Sequence, residues 1–206
     1  MDTSSEHCCC SAEIHVSAAL GTISDDGRSD AEMPENVRFY LCASTQHAPA
    51  PLDAARDARA TAPPNTIDYK PFVRAAVDNF TAWVASDVAP PPSAYPRFAD
   101  RTLTAELCPS VDGDGNEVPG LRHPDVAVPL AAYTGWNPSI GDPTVLVRAL
   151  GSTIPFSPDE VARRYPSHYV FLSKIGAAAE ELVGQRYLLA QDVPPIMAVS
   201  QQRWKR

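Results

Sequence analysis

The chain has 206 residues, 44% apolar and 20% charged, which is the composition of an ordinary soluble globular protein of one domain or slightly more. Lys and Arg number 17 against 25 Asp and Glu, for a formal net charge of −8; this sign argues against a general binder of nucleic acid or of anionic membranes. There is no run of 18 apolar residues, so no membrane-spanning segment is expected.

Proline is the unusual component, at 21 residues against 10 glycines, roughly twice its average share of about 5%. Each ring fixes φ and removes a backbone donor, so long uninterrupted helices and wide regular sheets are not expected. The N-terminus has no basic stretch followed by an apolar one, so it does not read as a secretory signal. Cys8, Cys9, Cys10, Cys42 and Cys108 are odd in number and three are adjacent, a poor disulfide framework. A reducing, cytoplasmic location is the default expectation.

In chain order, residues 1–35 are short, polar and mixed, with a two-turn helix conceivable over 12–20 and a turn at 24–28. Residues 36–44 (NVRFYLCAS) are rich in β-formers and read as a buried strand. After Thr45-Gln46-His47 comes a loop of Ala, Pro, Asp and Asn reaching Pro71, a good first helical residue. Phe72, Val73, Ala76, Val77, Phe80, Trp83 and Val84 then mark one apolar face of a four-turn helix ending near Asp87. Pro90-Pro91-Pro92 forms a stiff spacer.

Beyond it, residues 102–107 and 126–128 are candidate strands and 112–116 (DGDGN) is a turn signal. Ser157-Pro158-Asp159-Glu160 carries an N-cap, a proline and a glutamate three residues after the cap, so a short helix should start there. A longer one restarts at Pro166-Ser167, with Val170, Leu172, Ile175, Ala178, Ala179, Leu182 and Val183 on its apolar side, ending near Gly184 or Leu189. The tail from Gln201 is short and basic.

The unit of chemical interest is a strand, then His47, then a long loop and an amphipathic helix. In the α/β-hydrolase arrangement the triad follows the order nucleophile, acid, histidine, and the histidine sits in the loop after the last strand. Residues 37–47 (VRFYLCASTQH) resemble the strand-plus-histidine signature of a bacterial family of α/β-hydrolase-domain proteins. Residues 90–100 (PPPSAYPRFAD), 112–128, 128–137 (VPLAAYTGWN) and 164–192 resemble the same family in the same order.

The resemblance implies a hydrolase acting on esters, with His47 as catalytic base. It also places Glu13, in Ser11-Ala12-Glu13, as the candidate triad acid, ahead of Asp25 and Asp30. The alternative for Glu13 is a solvated charge at a helix start. The nucleophile elbow needs Gly-x-Ser-x-Gly, because only small neighbours permit the strained serine. No such string occurs in the 206 residues. The nearest, at 137–141 (NPSIG), lacks the first glycine, has a proline before the serine and follows His47.

The fold expected is therefore α/β: a partial α/β-hydrolase-like unit, with its last core strand and helix, and a proline-rich, turn-rich α+β C-terminal extension. Residues 1–11 are read as a disordered or non-family segment, 12–90 as the C-terminal part of the core and 91–206 as the extension. The function expected is that of a C-terminal fragment of a serine ester hydrolase, inactive alone, with its nucleophile upstream of residue 1. The alternative is a non-catalytic remnant or interaction module.

No cofactor and no metal are expected. The adjacent cysteines with His7 and His15 lack the spaced pairs of a zinc site, and in the calcium-loop-like stretch from Asp112, Glu117 replaces the sixth-position glycine while His123 stands where a bidentate glutamate belongs. The partners expected are an ester substrate, only if the missing half is supplied, and self-association through exposed core surface. Neither nucleic acid nor membrane is expected. Residues 133–137 are read as packing rather than pocket lining.

Overall fold

A computed structural model describes residues 21–138, 140 and 145–206. Glu13, the three adjacent cysteines, Ser139 and the helix expected over 12–20 lie outside the described residues. The elements are α1 (Lys70–Ser86), α2 (Pro124–Ala127), β1 (Ala131–Thr134), α3 (Val145–Arg148), β2 (Ser152–Pro155), α4 (Pro158–Arg164), α5 (His168–Gly184) and α6 (Val193–Trp204). The architecture is mixed α/β, with β1 and β2 antiparallel and Thr134 opposite Ser152.

The helix starts follow the capping chemistry of the sequence. Ser157 Oγ accepts from the Glu160 amide at 3.2 Å and Ser167 Oγ from the Val170 amide at 3.3 Å, each satisfying a donor that the first helical turn leaves unpaired. Helix α1 ends on Asp87, which adopts φ 55° and returns its amide to Trp83. The long α5 buries Phe171, Ile175 and Ala179 at four-residue spacing, and Trp204 of α6 stacks on Phe171 with ring centroids 5.2 Å apart. With Phe72, Leu121, Tyr165, Leu188 and Ile196 these make the larger core; Ile67, Val126, Ala131 and Tyr133 make a smaller one.

Proline shapes the remainder. A proline carbonyl accepts although its nitrogen cannot donate, and here side chains reach for those acceptors. The hydroxyls of Tyr40, Tyr187 and Tyr165 donate to the carbonyls of Pro91, Pro92 and Pro129 at 2.6, 2.9 and 2.9 Å. Thr153 donates its amide to Pro63 and its hydroxyl to Pro64. Burial pushes the Tyr165 phenol up to about 12, so it remains a donor across the physiological range.

Several expectations change. Residues 37–42 are extended between turns at 35–36 and 43–44, and Leu41 and Ala43 are buried, but the segment makes isolated parallel bridges, Tyr40 with Ala94 and Cys42 with Leu121, instead of a continuous ladder. Its neighbours are the polyproline spacer, which lacks donors, and the turn at Gly120, where φ is 92° and an added Cβ would lie 2.5 Å from the Leu41 oxygen. Residues 124–127 form helix α2 and not a strand, because Pro124 suits a first turn and the His123 side chain caps it. In 102–107 a single bridge joins Leu103 to Pro109 and Leu107 turns back at φ 61°. Helix α6 extends through the stretch read as a tail, since Pro194 and Pro195 fall in its first turn, where no amide is required.

The most consequential change concerns α1. Its buried residues are Pro71, Phe72, Ala75 and Asn79, whereas Val73, Val77, Phe80 and Val84 of the expected core face are 49–73% exposed. Polar contacts set this rotation. Asn79 Nδ2 donates to the Ala75 and Arg186 carbonyls, both at 2.8 Å, and Arg74 forms a two-point ion pair with Asp192. Of the described cysteines, Cys108 is disulfide-bonded and Cys42 is not, against the expectation of an unpaired set, since residue count and order do not reveal which sulfurs meet in space.

Gly151 is the tightest junction between segments. Its φ is 61°, and a Cβ would lie 2.5 Å from the Thr134 oxygen and 2.8 Å from the Cβ atoms of Asn65 and Gln46. Gly151→Ala is expected to cost about 1–3 kcal/mol of stability, seen as a lower denaturant midpoint at unchanged slope; an unchanged midpoint would show that the junction gives way freely.

Candidate active site

His47 is exposed, yet the three residues before it are buried, so the imidazole emerges from a backbone that is held from several sides. Ser44 turns the chain at φ 55°, a left-handed conformation that a non-glycine residue keeps only when its surroundings enforce it. The enforcement is reciprocal: the Ser44 amide donates to Glu117 Oε2 at 2.6 Å, and the Glu117 amide donates to Ser44 Oγ at 2.7 Å. Asn65 Nδ2 donates to the Ser44 and Thr134 carbonyls, and its Oδ1 accepts from the Ile67 amide. Gln46 Nε2 donates to the Ile67 carbonyl. At His47 itself the amide donates to the Ala149 carbonyl at 3.3 Å and the carbonyl accepts from the Tyr69 hydroxyl at 2.6 Å.

The long loop after His47 is thereby ordered without regular structure. Asn137, fully buried, donates to the carbonyls of Ala62 and Gly151, while the Thr61 amide donates to the Pro138 carbonyl. Tyr133 and Thr134 are buried too, so residues 133–137 serve packing. Arg148 covers the half-buried Trp136 ring at 5.1 Å.

Among the candidate acids, Glu13 lies outside the described residues. Asp25 is exposed in the 24–29 turn, and the Asp30 carboxylate accepts from the Phe98 and Ala99 amides at 2.8 and 2.9 Å, which ties the N-terminal hairpin to the region after the polyproline spacer. The 112–117 stretch is a hairpin turn: Asp112 Oδ1 accepts from the amides of Asp114 and Asn116, Val111 bridges to Glu117, and Arg122 and Arg164 pair with Asp112 and Asp114. No cluster of metal-ligating side chains occurs among the described residues.

A second polar cluster is buried under α6. Ser200 Oγ donates to Asp125 Oδ1 at 2.7 Å, Arg203 Nε donates to Asp125 Oδ2 at 3.0 Å, and the Asp125 amide donates to His123 Nδ1 at 3.2 Å. It holds a serine, a histidine and an acid, but the serine is fully buried and gives its proton to the carboxylate, not to the imidazole. The arrangement fastens α6 to α2, and Arg203 extends it to the hydroxyl and carbonyl of Thr66.

Sequence reasoning missed Glu117, Asn65, Asn116 and Asn137 as the supports of this site. Their only local signal is membership of turn-like strings, which suggests exposure; each is buried because it serves a backbone distant in sequence.

A family description, alpha/beta hydrolase domain, matches residues 8–198. The chain belongs to that family. The match takes in His47, its supporting turn and the whole ordered loop, so the resemblance carried by residues 37–47 and the later strings extends over nearly all of this hydrolase-family chain. No curated protein and no solved structure matches it.

In this alpha/beta-hydrolase-domain protein Glu117 supports the His47 site and His123 belongs to the polar cluster under α6. Glu117→Ala strips the Ser44 amide of its buried acceptor and should cost about 1–3 kcal/mol in unfolding free energy; Glu117→Gln, which keeps an acceptor oxygen, should cost less. Burial holds His123 below its ordinary value, ahead of the opposing pull of Asp125. Its folded form stays neutral while the unfolded chain takes up a proton near pH 6.5, so stability is full above that pH and falls below it, by at most about 1.4 kcal/mol per pH unit. His123→Gln should flatten that slope in denaturation curves between about pH 5 and 6.5.

Proposed function

We propose that the chain contributes the histidine and the acid of a serine ester hydrolase: His47 as general base, Glu13 as the carboxylate that orients it, and a serine on sequence outside these 206 residues as nucleophile. In that reaction His47 takes the proton as the serine oxygen attacks the ester carbonyl. It returns the proton to the departing alcohol, and a second cycle with water releases the carboxylic acid. The carrying observation is an exposed imidazole on a backbone fixed by Ser44, Glu117 and Tyr69, since a general base must be reachable and pre-oriented. The family membership supports hydrolysis, and the absence of Gly-x-Ser-x-Gly from the sequence supports the nucleophile's lying elsewhere. Residues 12–90 would then belong to the hydrolase core and 91–206 would wrap it.

The 206-residue chain by itself should neither turn over aryl esters nor take up a fluorophosphonate probe. Joined to an in-frame upstream segment bearing Gly-x-Ser-x-Gly it should do both, and His47→Ala should then lower kcat by about 10⁴-fold or more. Turnover by the lone chain that His47→Ala abolishes would sink the fragment reading.

The second reading is a non-catalytic remnant or interaction module. It is favoured by the apolar surface that α1 presents to solvent. An upstream stop codon followed by unrelated sequence would move the balance to it.

A further inference from the structure

The outer face of α1 is a continuous apolar stripe. Val73, Val77, Phe80 and Val84 are 49, 60, 61 and 73% exposed, and at 3.6 residues per turn they fall within about 60° of one another around the axis. The opposite face carries Phe72, Ala75 and Asn79 and is fully engaged with the rest of the chain. Monomeric proteins seldom leave so ordered an apolar row in water.

The stripe ends in charges of opposite sign. Exposed Lys70 opens the helix three residues before Val73, and exposed Asp87 caps its other end three residues after Val84. About a point between Asp78 and Asn79 the row is self-complementary: Val73 mirrors Val84, Val77 mirrors Phe80, and cationic Lys70 mirrors anionic Asp87. A two-fold axis through that point places each residue against its complement on an antiparallel second copy, the arrangement an isologous interface requires. A parallel pairing would set Lys70 against Lys70 and Asp87 against Asp87.

We propose that the chain forms a homodimer through α1, with the two helices antiparallel, the Val73-Val77-Phe80-Val84 rows in contact, and the Lys70 end of each helix beside the Asp87 end of the other. Helices packed this way lie about 8–10 Å apart. His47 lies off α1, although Tyr69, the residue before Lys70, donates to its carbonyl; the dimer makes no use of the ester chemistry proposed for His47.

Sedimentation equilibrium of the intact chain tests it. The expected result is a mass twice that of the monomer at micromolar concentration, falling to the monomer mass for Phe80→Asp, whose site is already exposed and should leave far-UV dichroism unchanged. Lys70→Glu and Asp87→Lys should each weaken the dimer about threefold to tenfold at low salt, because the two-fold axis doubles each like-charge contact. Combining them should restore it. A monomer at all concentrations, a dimer indifferent to Phe80→Asp, or charge reversals that fail to compensate would each overturn the proposal. Were Phe80→Asp to unfold the chain, the charge-reversal cycle alone would decide. A monomer that takes up a different protein on this face also counts against it, and leaves the ester chemistry proposed for His47 untouched.

Discussion

The left-handed turn at Ser44 and the buried carboxylate that holds it organise everything around the candidate site. A serine at φ 55° is costly by itself, and a carboxylate 1% exposed is costlier still unless its oxygens are used. Each pays for the other here: Glu117 accepts the Ser44 amide and Ser44 accepts the Glu117 amide. That exchange locks the 111–117 hairpin to the turn that ends the extended segment 37–42. Asn65 then ties the same turn to β1, and Gly151 closes the junction because no Cβ would fit between Thr134, Asn65 and Gln46. His47 is presented to solvent by a scaffold whose rigidity comes from satisfied polar groups more than from regular strands.

This mode of construction follows from the proline content. A chain with so few donors in its extended segments cannot knit them into a ladder, so its carbonyls are met by side chains instead: tyrosine hydroxyls at Pro91, Pro92 and Pro129, and Thr153 at Pro63 and Pro64. Buried asparagines do the rest. Asn116 accepts from the Tyr133 amide and Asn137 donates to Ala62 and Gly151. Such a network specifies one arrangement closely, because each lost bond strands a partner away from water. The helical C-terminal layer is built differently, by apolar contact around Phe171, Ile175 and Trp204, with the Asp125, Ser200 and Arg203 cluster pinning α6 in register.

Local chemistry was legible wherever a few neighbouring residues suffice. The Ser157 and Ser167 caps, the Asp112 turn and the end of α1 at Asp87 all rest on contacts spanning at most five residues. The strand-plus-histidine string was legible as a family feature. Legibility failed where a distant partner decides. Residues 126–128 read as a strand, but Val126 and Ala127 fall in the helix that His123 caps, and α6 hides behind two prolines that sit harmlessly in its first turn. For α1 the periodicity correctly marked the apolar side, yet burial went to the side where Asn79 and Arg74 find Arg186 and Asp192.

By itself, then, the sequence determined where α1, α4 and α5 begin, where the chain must turn, which histidine follows the extended segment and which family the chain resembles, because these depend on residues close in sequence or on strings read as such. Only the tertiary structure decided that the extended segment pairs with proline-bounded neighbours instead of a wide sheet, that Glu117 and three asparagines are interior supports, and that the apolar row of α1 faces water. Those outcomes depend on which backbone groups, tens of residues apart, must find a partner once water is excluded, and no local pattern carries that information.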